Sequence, residues 1–202
     1  MDRPFDRAAA ARAFLTYLLL PAWVVPGVLD WYWHRVTKIE QNAGAFESLT
    51  HVAMALEAGL GVTTPLFFEI DAGVIAVMLG SALAHEATAM LDVGYAKLRR
   101  PIPQYEQHTH SFLEVLPFVA VAVTSFLQPE QARALAGLGS ERPRFRFRLQ
   151  QPRLPLARML AIVGTTGLLG VAPHVEELIR CLRAKPTLAP QPPAPEPPCA
   201  ED

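Results

Sequence analysis

The chain carries six histidines, at 34, 51, 85, 108, 110 and 174, and most of them keep a carboxylate at helical spacing. Asp30 and His34 are four residues apart, as are Glu47 and His51, and His110 and Glu114. Side chains so spaced on a helix lie about 5 to 6 Å from one another, close enough to share an ion. His85 and Asp92 are seven apart, two turns along one stripe, while Glu86 points elsewhere. Glu106 and His108 occupy alternate positions in PQYEQHTH, which reads as an irregular segment that a bound ion could organise.

Imidazole nitrogen combined with carboxylate oxygen suits iron, manganese or zinc, and the absence of well-placed thiolates argues against iron–sulfur or copper(I) chemistry. The candidate metal ligands are Asp30, His34, Glu47, His51, His85, Asp92, His108, His110 and Glu114. They exceed what one tetrahedral zinc needs, so two metal ions are expected, with iron first and zinc or manganese as alternatives. Glu86 and Glu106 are the candidate catalytic bases, and Arg35, Glu40, Arg99 and Arg100 are outer partners. Each pair alone is equally well an interfacial ion pair, and His85 alone could simply hydrogen-bond a neighbouring helix. The repetition on four helices is what favours metal. It requires these imidazoles to meet within about 12 Å, given metal–ligand bonds near 2 Å. His174, beside Glu176 and Glu177, reads as a surface residue, and Glu57 stays open as packing donor, proton relay or deep ligand.

Five apolar stretches are expected to position these groups. They run from Ala13 to Leu29, Ser48 to Phe68, Ala72 to Ala96, Phe112 to Leu127 and Leu156 to Val171, against the roughly 20 residues a membrane helix needs. Arg3, Arg7 and Arg12 before the first stretch resemble a signal peptide, but no convincing cleavage site follows, so it reads as a retained helix. Trp31, Tyr32 and Trp33 mark a headgroup boundary that this helix continues through. Prolines 21, 26, 65 and 117 are tolerated where neighbouring helices satisfy the freed carbonyls. Threading five spans puts loop 30–47, loop 97–111 and the segment after Val171 on one face, and every histidine falls on that side. The expected fold is all-α, a polytopic transmembrane bundle of four core helices plus a fifth, over residues 1–185. Residues 186–202, rich in proline with little to bury, are expected to form a disordered tail.

Hydrophobic residues make up 51% of the sequence and the formal charge is −1, which disfavours nucleic acid as a partner. The arginine-dense stretch from Arg142 to Arg158 reads instead as the basic flank of a membrane segment. Lys and Arg are almost evenly divided between the two faces, with a slight bias towards a cytoplasmic connection 129–158. Cys181 and Cys199 give neither a disulfide framework nor a metal-type pair.

The runs DWYWHRVTKIEQNAGAFESLTH and HEATAMLDVGYAKLRRPIPQYEQHTHSFLEVLP resemble a family of small bacterial integral membrane proteins without an established activity, over residues 30–117. The resemblance implies a bacterial inner-membrane location and no particular reaction. By analogy the ligand types are similar to those of the membrane di-iron desaturases and hydroxylases. The HxxxH and HxxHH boxes of those enzymes are absent, as is the Glu-x-x-His spacing of soluble di-iron bundles. Three functions are therefore expected in competition. One is a metal-dependent oxidoreductase acting on a membrane lipid or other apolar small molecule, with an external electron donor. The others are a membrane zinc hydrolase, and a non-enzymatic metal- or proton-handling or structural protein, with a homo-oligomer supplying further helices.

Overall fold

A computed structural model describes residues 6–151 and 153–184. The expected proline-rich tail and Cys199 lie outside the described residues. The architecture is an all-α bundle, 79% helical.

Helix α1 is Arg7–Val36, α2 Gly44–Phe67, α3 Ala72–Ala96, α4 Gln104–Leu127, α5 Pro129–Leu135 and α6 Leu156–Arg183. At 30, 25, 24 and 28 residues, α1, α3, α4 and α6 are long and apolar enough to cross a membrane. That is the build of an integral membrane protein. Large apolar side chains point outward all round, including Met90, Leu98, Phe126 and Leu168, as lipid contact requires. α2 matches the others in length but is more polar, because it touches each of the other four long helices and is shielded by them.

The boundaries differ from expectation in two places. α4 starts at Gln104 rather than Phe112, so PQYEQHTH is helical and not irregular. Pro103, in an extended conformation, stands just ahead of its first turn. α6 does not stop at Val171 but continues to Arg183.

Prolines explain two irregular turns. The π turn Leu15–Leu19 ends two residues before Pro21, and the π turn Thr166–Val171 ends two residues before Pro173. A proline lacks an N–H and its ring clashes with the carbonyl four residues back, so the chain widens ahead of it. In each turn the closing N–H reaches five residues back, from Leu20 to Leu15 and from Ala172 to Gly167. The second turn resets the phase of the last part of α6.

The bundle is divided along its length. Leu15, Leu19, Trp23, Val62, Leu66, Val74 and Met78 form an apolar core towards the α2–α3 turn. At that end Asp71 caps α3 by accepting from the Val74 N–H at 3.1 Å. The non-helical segment 142–150 lies across this turn. Towards the other end the buried side chains become polar: Asp30, His34, Glu47, His51, His85, Asp92, Glu106, His174 and Glu177.

Candidate metal centre

Five helices converge on this polar half. α1 brings Asp30 and His34, α2 brings Glu47 and His51, α3 brings His85 and Asp92, α4 brings Glu106 and His110, and α6 brings His174 and Glu177. Ring centroids of His34 and His51 are 4.3 Å apart, and His110 lies 6.2 and 6.5 Å from them. His174 is 6.0 Å from His51. These separations fall well inside the limit that sharing a cation sets.

Glu177 holds the centre of the network, with one oxygen 3.0 Å from His34 Nδ1 and the other 2.8 Å from His51 Nδ1. The far nitrogens of the same rings approach carboxylates too, His34 Nε2 to Glu106 and His51 Nε2 to Asp92, each at 3.3 Å. His110 Nε2 lies 2.9 Å from Asp30 Oδ1, and Asp30 Oδ2 is 3.6 Å from His34 Nδ1. Thr50 donates to Asp92.

Arg100 enters from the α3–α4 connection, is 3% exposed, and spans two carboxylates. Its Nε donates to Glu47 at 3.1 Å and its Nη1 to Glu106 at 3.0 Å, while Nη2 reaches both. Burial works to lower its pKa, but the bonds to Glu106 and Glu47 outweigh that and hold it above its ordinary value. It is a permanent internal cation.

A cavity of about 40 Å³, roughly enough for a few waters, opens beside these groups. Asp30, His51, His85, Asp92, His110, Glu114 and His174 line one part, and Trp23, Met54, Ala55, Ala89 and Leu113 the other. Six polar atoms of its lining residues are buried without a hydrogen-bond partner: His51 Nε2, His85 Nε2, His110 Nε2, His174 Nδ1, Asp30 Oδ1 and Asp92 Oδ2. Some lie close together, as His110 Nε2 and Asp30 Oδ1 do, yet are not aligned as donor and acceptor. Ligand atoms aimed at a common point have that disposition, and buried polar atoms are otherwise nearly always paired. Three groups bring their ligand atoms within 4.8 Å of one another: Asp30, His34 and His110; Asp30, His51 and His174; and His34, Glu47 and His51. These residues could hold metal.

Of the residues singled out from sequence, Asp30, His34, Glu47, His51, His85, Asp92 and His110 are gathered here. Glu114 stands at the cavity mouth, shared with a shallower outer pocket through Val93 and His110. His108 is not gathered: in the helical segment it is exposed, turned about 200° from Glu106 and His110 by its two-residue offset. Glu86 does not line the cavity, and Glu106 is held by Arg100. Among the outer partners only Arg100 reaches the centre. Arg35 pairs with Glu176 at 2.6 Å, Glu40 with Arg180, and Arg99 stacks over Tyr95. Glu57 is separate, accepting from Thr88 at 3.0 Å.

His174 and Glu177 overturn the reading of that segment as surface. They are 6% and 0% exposed. Their three-residue spacing, continued by buried Cys181, was the available signal for an inward face. Neighbouring Glu176, about 100° round the helix, points out and binds Trp31 and Arg35.

No protein-family model, curated protein or solved structure matches the chain. The geometry of the centre therefore carries the functional argument.

Proposed function

We propose that this chain is a bacterial inner-membrane metalloprotein holding two divalent ions, iron in the first instance, and that it oxidises a lipid-soluble substrate. The observation carrying this reading is the set of six partnerless ligand atoms on residues lining one buried cavity. Charge supports the number two. Asp30, Glu47, Asp92, Glu106 and Glu177 are buried against a single guanidinium, an excess of four negative charges when all are ionised. Uncompensated buried charge is prohibitive, and two dications cancel this excess.

Two ions in a site of mixed imidazole and carboxylate ligands supply dioxygen activation. This chain's own groups orient the reaction. Glu177 steadies His34 and His51, Arg100 removes Glu47 and Glu106 from free titration, and the apolar wall from Trp23 to Leu113 receives the substrate. The outer pocket beside Lys97 and Ile102 joins the cavity at Val93, His110 and Glu114 and offers a route from the membrane. In a hydroxylation, a C–H bond and O2, with two electrons and two protons from an external donor, give an alcohol and water. A zinc hydrolase fits less well, because Glu106, a candidate base, is already bound by Arg100.

Metal analysis of the detergent-purified protein tests this. About two irons per chain, lost in His51→Ala and His85→Ala, is the expected result. Zinc in their place supports the hydrolase, and absence of metal leaves a structural polar network.

A further inference from the structure

The opposite end of the bundle carries a second built feature. Residues 142–150, RPRFRFRLQ, run without helical structure across the α2–α3 turn and are pinned at alternate residues. The Arg144 N–H donates to Gln131 at 3.0 Å, and its carbonyl accepts from Gly73 at 2.9 Å. The Arg146 N–H donates to Asp71 at 2.9 Å, the Arg148 carbonyl accepts from Glu69 at 2.8 Å, and the Gln150 N–H donates to the Phe67 carbonyl at 3.0 Å. The ribbon is therefore held by its backbone, and the arginine side chains contribute nothing to holding it.

All four guanidiniums, at 142, 144, 146 and 148, are exposed. Among the described residues, no acidic side chain lies within ion-pair distance of Arg142, Arg146 or Arg148. Arg144 meets Glu141 only at 3.8 Å, with both half-exposed. The ribbon crosses the chain where α2 ends and α3 begins, so spanning helices set it at headgroup depth. Exposed Phe145 and Leu149 interleave the arginines, as at a membrane interface. A fixed row of like charges beside a bilayer is relieved by phosphate, which guanidinium binds through two N–H groups.

We propose that the 142–148 ribbon is a binding surface for anionic phospholipid headgroups. It marks this end of the bundle as cytoplasmic and sets the metal centre towards the other leaflet. The surface works independently of the metal.

The test is lipid retention by the full-length protein, incubated with mixed micelles of phosphatidylglycerol and phosphatidylcholine and read by native mass spectrometry. Wild type is expected to prefer phosphatidylglycerol, and the Arg144→Gln, Arg146→Gln, Arg148→Gln triple variant to lose about tenfold of that preference. The backbone pins survive these substitutions, and an unchanged thermal melting profile checks the fold. Should the profile change, Arg146→Lys and Arg148→Lys, which keep the charge, are expected to keep the preference. Arg183→Gln at the other end is expected to leave it unaltered. Equal retention in wild type and triple variant, absence of a lipid preference, or co-purifying nucleic acid in place of lipid would overturn the proposal.

Discussion

The imidazoles of His34 and His51 stack with their planes 8° from parallel, and one carboxylate, that of Glu177, faces both Nδ1 atoms. An ionised carboxylate only accepts, so both rings carry their proton on Nδ1 and present Nε2 as a lone pair. Carboxylates behind histidine ligands fix ring orientation and tautomer in this way. Glu177→Gln leaves a single amide oxygen for two N–H groups. Metal affinity is expected to fall by about 10- to 100-fold, measured by chelator competition. Nitrogen-15 shifts of the two rings report whether one has changed tautomer, and unchanged shifts with unchanged affinity would remove this role from Glu177.

Arg100 predicts a stability effect. Replacing it by methionine strands Glu47 and Glu106 inside the bundle, and breaking a buried pair from one side costs about 3 to 5 kcal/mol. Arg100→Lys is expected to recover only part of this, since an ammonium cannot reproduce the fork across two carboxylates. Unfolding midpoints in detergent measure both, and a methionine variant as stable as wild type would contradict the charge assignment.

Histidines 108 and 110 form an internal control. His108→Ala touches an exposed ring and is expected to change stability by no more than about 0.5 kcal/mol, with metal content retained. His110→Ala removes a group 2.9 Å from Asp30 and is expected to lower metal content. Equal effects in elemental analysis would mean that neither ring holds an ion.

Metal loading should release protons. Without metal the excess of carboxylates must be met by protons on imidazoles or acids, and ligation displaces them. Adding ferrous ion anaerobically to the metal-free protein in weak buffer is expected to acidify the solution. A pH electrode reads this directly, and a flat trace during binding would rule the exchange out.

Gly73 tests how rigidly the ribbon is seated. A Cβ there would come within 3.1 Å of Phe145 Cα and of the Phe147 ring. Because one contact is backbone, Gly73→Ala is expected to cost about 1 to 3 kcal/mol, read from a thermal melt. An unchanged melt would show that the segment yields easily.

The sequence made much of the α1 to α4 contribution legible, because Asp30 with His34 and Glu47 with His51 sit one helical turn apart and announce a shared face. His108 misled because alternate positions look equivalent in an irregular segment and become opposite once Pro103 leads into a helix. The α6 contribution was hidden for a different reason. His174 and Glu177 follow the apolar run in a stretch with Glu176, Arg180 and Arg183, which on composition is a solvated helix. The π turn before Pro173 also breaks the phase between that run and the ligand face, so a single periodicity does not connect them. Arg100 was noticed as an outer partner, but its spanning of Glu47 and Glu106 depends on a loop path that spacing does not encode.

That wide turn has a further consequence for how the protein tolerates change. It stores one extra residue's worth of rotation, so deleting a single position between 166 and 171 would swing everything after it by about 100°. Glu177 would leave the two stacked rings and Glu176 would swing towards them. Length variation is therefore cheap in the connections at either end of the bundle and ruinous at this one point, where the register of twelve residues is set by a proline that binds nothing.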